Sequence, residues 1–110
     1  MNREDINKIH ELIKSDDSSN KLLGFILGRS GGLSDIQLFE LCYDGGFILD
    51  IERKTGRIYH KMLKINGINL YFWYGLKKVE ITIKNKTFYE FTEGIENEYV
   101  GFCKFLNLIL

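Results

Sequence analysis

The residues best suited to chemistry in this chain each lack the partners that chemistry needs. Gly28-Arg29-Ser30-Gly31-Gly32 matches G-x-S-x-G, the sharp turn that presents a nucleophilic serine in hydrolases. That turn joins a strand to a helix and relies on an acid and a histidine. Here a helical pattern precedes it, and 110 residues fall well short of the hydrolase fold. The same glycines could cradle a phosphate through backbone N–H groups, but no Lys-Ser or Lys-Thr follows, and Arg29 alone supplies charge. A loop that stops a helix accounts for them.

His10 and His60 are the only histidines, and neither has a second histidine or cysteine at ligand spacing. Glu90, Glu93, Glu96 and Glu98 fall at a turn and a helix start, where negative charge suits the positive end of the helix. Cys42 and Cys103 lie far apart among apolar residues, the pattern of buried thiols in a reducing cytoplasm. These observations predict a protein that is not an enzyme, with no catalytic residue, no metal and no cofactor.

Charge and aromatic rings carry a stronger signal. The net charge is zero, but residues 1–52 sum to minus five, 53–86 to plus eight and 87–110 to minus three. The basic middle surrounds Ile68-Asn69-Leu70-Tyr71-Phe72-Trp73-Tyr74, which contains the only tryptophan and is apolar or aromatic on both sides of an extended strand. Such a strand belongs at the centre of a sheet with something over each face.

The elements that must position it follow from periodicity. Asn2 caps a first helix with Ile6, Ile9, Leu12 and Ile13 at helical spacing. A polar break at 16–20 leads to a second helix carrying Leu22, Leu23, Ile26 and Leu27, stopped at Gly31-Gly32. Ser34 and Gln37 form a capping box for a short third helix that ends at Gly45-Gly46. The period then changes from 3.6 to 2. Turns at 53–56, Asn66-Gly67, 75–77 and 85–87 divide the chain into five strands. From Gly94 a broad apolar stripe returns at helical spacing: Ile95, Tyr99, Phe102, Cys103, Leu106 and Ile109.

The fold class is α+β: short N-terminal helices, a five-stranded antiparallel meander, and a C-terminal helix packed on one sheet face. One domain is expected over 1–110, with helices over 1–45, a sheet over 46–92 and a closing helix over 94–110. Matching apolar partners across each turn predicts a core face of Phe47, Leu49, Ile51, Ile58, His60, Met62, Tyr71, Trp73, Val79, Ile81, Ile83, Tyr89 and Phe91. Trp73 then lies under the closing helix. The opposite face carries the candidate binding residues Arg57, Tyr59, Lys61, Phe72, Tyr74, Lys78 and Lys84, with rings at the middle and cations around them.

Rings bordered by charge match the core and rim of a protein interface, so a protein partner is the first expectation. An inhibitor, immunity or phage counter-defence factor is the kind of protein meant. A single-stranded nucleic acid stacking on Tyr59, Phe72 and Tyr74 is the alternative, disfavoured by overall neutrality. A third reading is that the N-terminal helices simply cover this face. A winged-helix reading fails because Ser34–Asp44 contains Asp35, Glu40 and Asp44 and no cation to meet phosphates.

No apolar signal core opens the sequence, and the greasy run Val100–Leu110 is interrupted by Lys104 and Asn107. The expected setting is cytoplasmic, without membrane insertion. The absence of alanine and proline, with abundant isoleucine, lysine and asparagine, suggests a bacterial or phage origin of low GC content. Oligomeric state is not legible.

Overall fold

Local chemistry sets each helix boundary in the computed structural model, which describes all 110 residues. Helix α1 spans Arg3–Lys14, and the Asn2 side chain accepts from the Asp5 N–H as its cap. Helix α2 (Ser18–Ser30) is capped by Asp17, whose carboxylate accepts from the Ser19 N–H at 2.8 Å. At its other end the Gly31 N–H donates to the Leu27 carbonyl. Helix α3 (Asp35–Tyr43) opens with the expected capping box: Ser34 Oγ accepts from the Gln37 N–H, and Gln37 Oε1 accepts from the Ser34 N–H. Strands β1 (Ile48–Ile51), β2 (Ile58–Ile65), β3 (Ile68–Trp73), β4 (Lys78–Ile83) and β5 (Lys86–Thr92) form an antiparallel meander in sequence order. Helix α4 (Ile95–Ile109) follows. None of the helices is long and apolar enough to cross a membrane.

The chain divides into two compact units, Met1–Phe47 with Leu110, and Ile48–Ile109. In the helical unit Ile9, Ile13, Phe25, Leu38, Phe39 and Cys42 are buried. So is Lys21, whose ammonium donates to the carbonyls of Ile13 and Gly46. Burial lowers its pKa, and the Cys42 and Asp16 charges oppose that shift. His10 Nε2 bonds the Asp44 carbonyl at 2.7 Å and ties α1 to the end of α3.

In the sheet unit α4 lies across β3, β4 and β5. Leu63, Leu70, Phe72, Val79 and Ile81 are buried with Phe102, Phe105 and Leu106 of the helix. Contact is close at Gly101, where an added Cβ would stand 2.6 Å from Val79 Cγ1. Tyr74 Oη donates to Glu98 Oε1 at 3.0 Å at the helix start.

The α+β architecture agrees with the periodicity, and Val79, Ile81, Ile83, Tyr89 and Phe91 keep the expected side, but His60, Met62, Tyr71 and Trp73 of β2 and β3 lie on the opposite one. The β3–β4 turn takes four residues, 74–77, with Lys77 at φ 53° and its N–H donating to the Tyr74 carbonyl. Phe72 therefore pairs with Val79 and Leu70 with Ile81, where the expected three-residue turn set Trp73 beside Val79. The pairings of Met62 with Tyr71 and His60 with Trp73 stand as expected. Trp73 is consequently on the side away from α4, and Phe72 lies beneath the helix.

Two bulges complete the correction. Ile51 pairs with Ile58 as expected, but Asp50 pairs with His60, leaving Tyr59 as the extra residue. At the other edge a two-residue turn, Lys84-Asn85 with φ 51° and 65°, pairs Ile83 with Lys86. Phe88 is then the extra residue, so Ile81 meets Tyr89 and Val79 meets Phe91. The expected partner of Ile81 was Phe91; the bulge moves that register by two and preserves the face.

Candidate binding face

The face away from α4 is built from alternate residues of all five strands, and no other element of the sheet unit lies over it. On β3 it presents Asn69, Tyr71 and Trp73, and on β2 His60, Met62 and Lys64. Beside them stand Ile48 and Asp50 of β1, Lys78, Glu80 and Thr82 of β4, and Thr87 and Glu90 of β5.

A row of rings occupies its middle. Tyr71 and Trp73 stack with centroids 4.7 Å apart at 26°, and His60 lies 4.6 Å from Trp73 at 35°. Both arrangements fall within the range in which aromatic pairs attract beyond simple burial. Tyr71 and Trp73 remain half-buried, while their neighbours hold His60 at 7% exposure. His60 Nδ1 is shielded and makes no hydrogen bond; Asp50 Oδ2 lies 3.5 Å from it.

Polar groups on this face are matched to one another. Glu80, buried at 8% exposure, accepts from Trp73 Nε1–H at 3.0 Å through one oxygen and from the Thr87 hydroxyl at 2.9 Å through the other. Lys78 Nζ stands 3.6 Å from Glu80 and 3.9 Å from Glu90. Asn69 Nδ2 donates to Thr82 Oγ1. Lys64 Nζ lies 5.9 Å from the Tyr71 ring centre, at the edge of cation–π range. The carboxylate thus fixes the indole from below the row, and a buried anion satisfied on both oxygens is held in one geometry.

The residues singled out from the sequence do not assemble into one site. Phe72 is in the core under α4, 1% exposed. Lys61 and Tyr74 are on that same covered side, with the ammonium 5.9 Å from the phenol ring centre. Tyr59 is the bulged residue; it lies against Gly75 and meets the ring row edge-on, 5.4 Å from His60 and 6.4 Å from Trp73. Arg57 ends the β1–β2 turn and Lys84 is in the β4–β5 turn. Of the seven, only Lys78 and Tyr59 reach the face that carries the ring row. The helix that covers Phe72 is α4. The basic segment is likewise dispersed over both faces and three turns, so its plus eight charge forms no single surface.

The residues that do assemble, His60, Tyr71, Trp73 and Glu80, were expected in the core, apart from Glu80, which drew no assignment. One signal locates them. Placing Asn69, Glu80, Thr82 and Thr87 on one side of the sheet requires Tyr71 opposite Glu80, which is the observed register. No three or more His, Cys, Asp or Glu side chains gather in a metal-binding group. No protein-family model matches this chain, and no curated protein and no solved structure shows significant similarity to it.

Proposed function

We propose that the chain is a non-enzymatic binding protein and that the face bearing His60, Tyr71 and Trp73 engages another protein. The single observation behind this reading is the stacked, half-buried ring row held rigid by Glu80 and bordered by charge of both signs. Rigid aromatic side chains supply large contact area at little entropic cost, and they dominate measured interface energies. The apolar margin at Ile48, 38% exposed, extends that area on the β1 side. A factor that inhibits or neutralises its partner by occupying it is the role that suits a chain of this size.

Nucleic acid is the poorer fit for a physical reason. Asp50, Glu80 and Glu90 share the face with the rings, and Lys78 is already engaged by two of them. A backbone of phosphates would meet as much repulsion as attraction there.

The test compares affinity-tagged wild-type chain with Tyr71→Ser and Met62→Glu in its native host, followed by titration of the enriched partner against Trp73 emission. A protein partner lost with both variants, while their melting transitions persist, supports the reading. Binding should also weaken less than about tenfold between 50 and 200 mM salt, against roughly 10³-fold for a complex neutralising about six phosphates. Enrichment of nucleic acid with a steep salt slope, or partner capture indifferent to both substitutions, overturns it.

A further inference from the structure

In the helical unit, α2 is apolar on both of its sides. Its inward residues are Lys21, Gly24, Phe25 and Gly28, while Leu23, Ile26 and Leu27 point outward at 44%, 42% and 44% exposure. The inward side packs by backbone proximity. A Cβ at Gly24 would lie 2.9 Å from Ile13 Cγ1, and one at Gly28 2.6 Å from Leu38 Cδ2. Lys21 turns inward because its ammonium reaches the carbonyls of Ile13 and Gly46. The large aliphatic side chains are left outside. An ordinary surface helix carries charge on its outward side. Here the only charges between Ser18 and Ser30 are the buried Lys21 and Arg29 in the last turn. Such a helix is patterned for burial twice over.

We propose that this outward face joins two copies of the chain as an antiparallel α2–α2 pair. The stripe reads alike from either end: Ser19, Leu22, Leu23, then Ile26, Leu27, Ser30. A two-fold axis between residues 24 and 25 sets Leu23 against Ile26 of the second copy, Leu22 against Leu27, and Ser19 against Ser30. Self-complementarity of that kind is what an isologous interface requires.

Charge agrees with the same register. The N-terminal end of α2 is acidic at Asp16 and Asp17, and the C-terminal end carries Arg29. Antiparallel pairing brings Arg29 of each copy opposite Asn20 of the other, about 4.5 Å along the axis from Asp17 at 1.5 Å per residue. An arginine side chain spans that offset. Arg29 already pairs with Asp35, which leaves further N–H donors of its guanidinium for the second carboxylate. Met1, 50% exposed, lines a shallow depression with Ile9 and Leu27 and widens the apolar margin.

Sedimentation equilibrium on the full chain tests the pairing. Wild type should pass from monomer to dimer with rising concentration. Leu23→Lys and Ile26→Glu should each remain monomeric at concentrations at least about tenfold above the wild-type midpoint, a free-energy change of roughly 1.4 kcal/mol. Their far-UV circular dichroism should match wild type, because both positions are exposed. Mixing the two variants should restore the dimer, since the register places the new lysine opposite the new glutamate. If either variant fails to fold, Leu27→Ser takes its place, with dimer loss expected and dimer retention overturning the proposal. A wild-type chain that stays monomeric overturns it, as does a dimer that survives both substitutions. A mixture that stays monomeric overturns the antiparallel register. Monomeric chain that floats with phosphatidylcholine–phosphatidylglycerol vesicles, and loses this with Ile26→Glu, assigns the stripe to lipid instead.

Discussion

The two faces of strand β3 belong to six consecutive residues and are governed by different physics. Ile68, Leu70 and Phe72 point to α4 and join an apolar, tightly packed layer with Val79, Ile81, Phe102 and Leu106. Asn69, Tyr71 and Trp73 point the other way, where stability comes from ring stacking and from hydrogen bonds that match each polar group to a neighbour. The first layer is held by removal of apolar area from water and by close packing. The second is held by directional contacts that leave the rings half-buried. A fold needs only one such layer to be dry.

Breaking the dry layer should have the largest effect. Phe72→Ala removes a fully buried ring beneath α4 and should cost about 3–5 kcal/mol, a large share of the stability of a small domain. Phe102→Ala, on the helix side of the same layer, should cost a similar amount. Chemical denaturation of each variant provides the measurement; a loss below about 1 kcal/mol for both would mean that α4 does not bury β3. On the other face the largest loss should follow Glu80→Ala, which strands the Trp73 indole N–H and the Thr87 hydroxyl. Removing the acceptor of partly buried donors costs about 1–3 kcal/mol. The freed indole should also change its emission, so Trp73 fluorescence reports this variant independently of the melt.

A third substitution separates folding from recognition. Tyr71→Ala deletes the stacked partner of Trp73 but leaves the apolar layer beneath α4 intact, so its cost should be about 0.5–1.5 kcal/mol, with partner binding reduced far more. If stability falls as far as in Phe72→Ala, the two faces are not distinct in kind and the comparison fails.

The sequence revealed the elements more readily than their faces, for a traceable reason. Asn2, the Ser34–Gln37 box, Gly31 and Asn66-Gly67 act within a few residues of themselves, so caps and turns could be read directly. The stripe of α4 likewise announced a helix that covers a sheet. Facing is different, because a strand apolar on both sides offers no alternation to anchor it. The whole assignment then rests on turn length, and one residue between 74 and 77 reverses it. Lys77 in the left-handed region carries no glycine or asparagine to mark that turn. The bulges at Tyr59 and Phe88 are equally silent in composition. Lys61, Phe72 and Tyr74 followed the reversed face, while Lys78 reached the ring side because β4 kept its expected face, and Tyr59 reached it through the bulge. The polar residues were the better guide, since Asn69, Glu80, Thr82 and Thr87 need partners or water and therefore avoid the layer beneath α4.

The smallest effect tests a polar intrusion on the dry side. Tyr89 pairs with Ile81, stacks on Phe91 with centroids 5.1 Å apart, and has Lys104 Nζ 4.8 Å from its ring centre. Its hydroxyl is shielded without a hydrogen-bond partner, and burial raises its pKa above the ordinary tyrosine value of 10.0. Tyr89→Phe should therefore be neutral or stabilising by up to about 1 kcal/mol, because an unpaired buried hydroxyl costs free energy that the phenyl ring does not. The pH dependence has a definite sign. Above about pH 10 the unfolded chain releases the Tyr89 proton while the folded chain retains it, so the native state binds more protons and stability falls as pH rises. The variant lacks that contribution, and every other titrating group is common to both proteins. Its advantage in melting temperature should thus be larger at about pH 11 than at about pH 8. An advantage equal at the two values would mean that water reaches the hydroxyl, and that the layer under α4 is less dry at its β5 edge than at its centre.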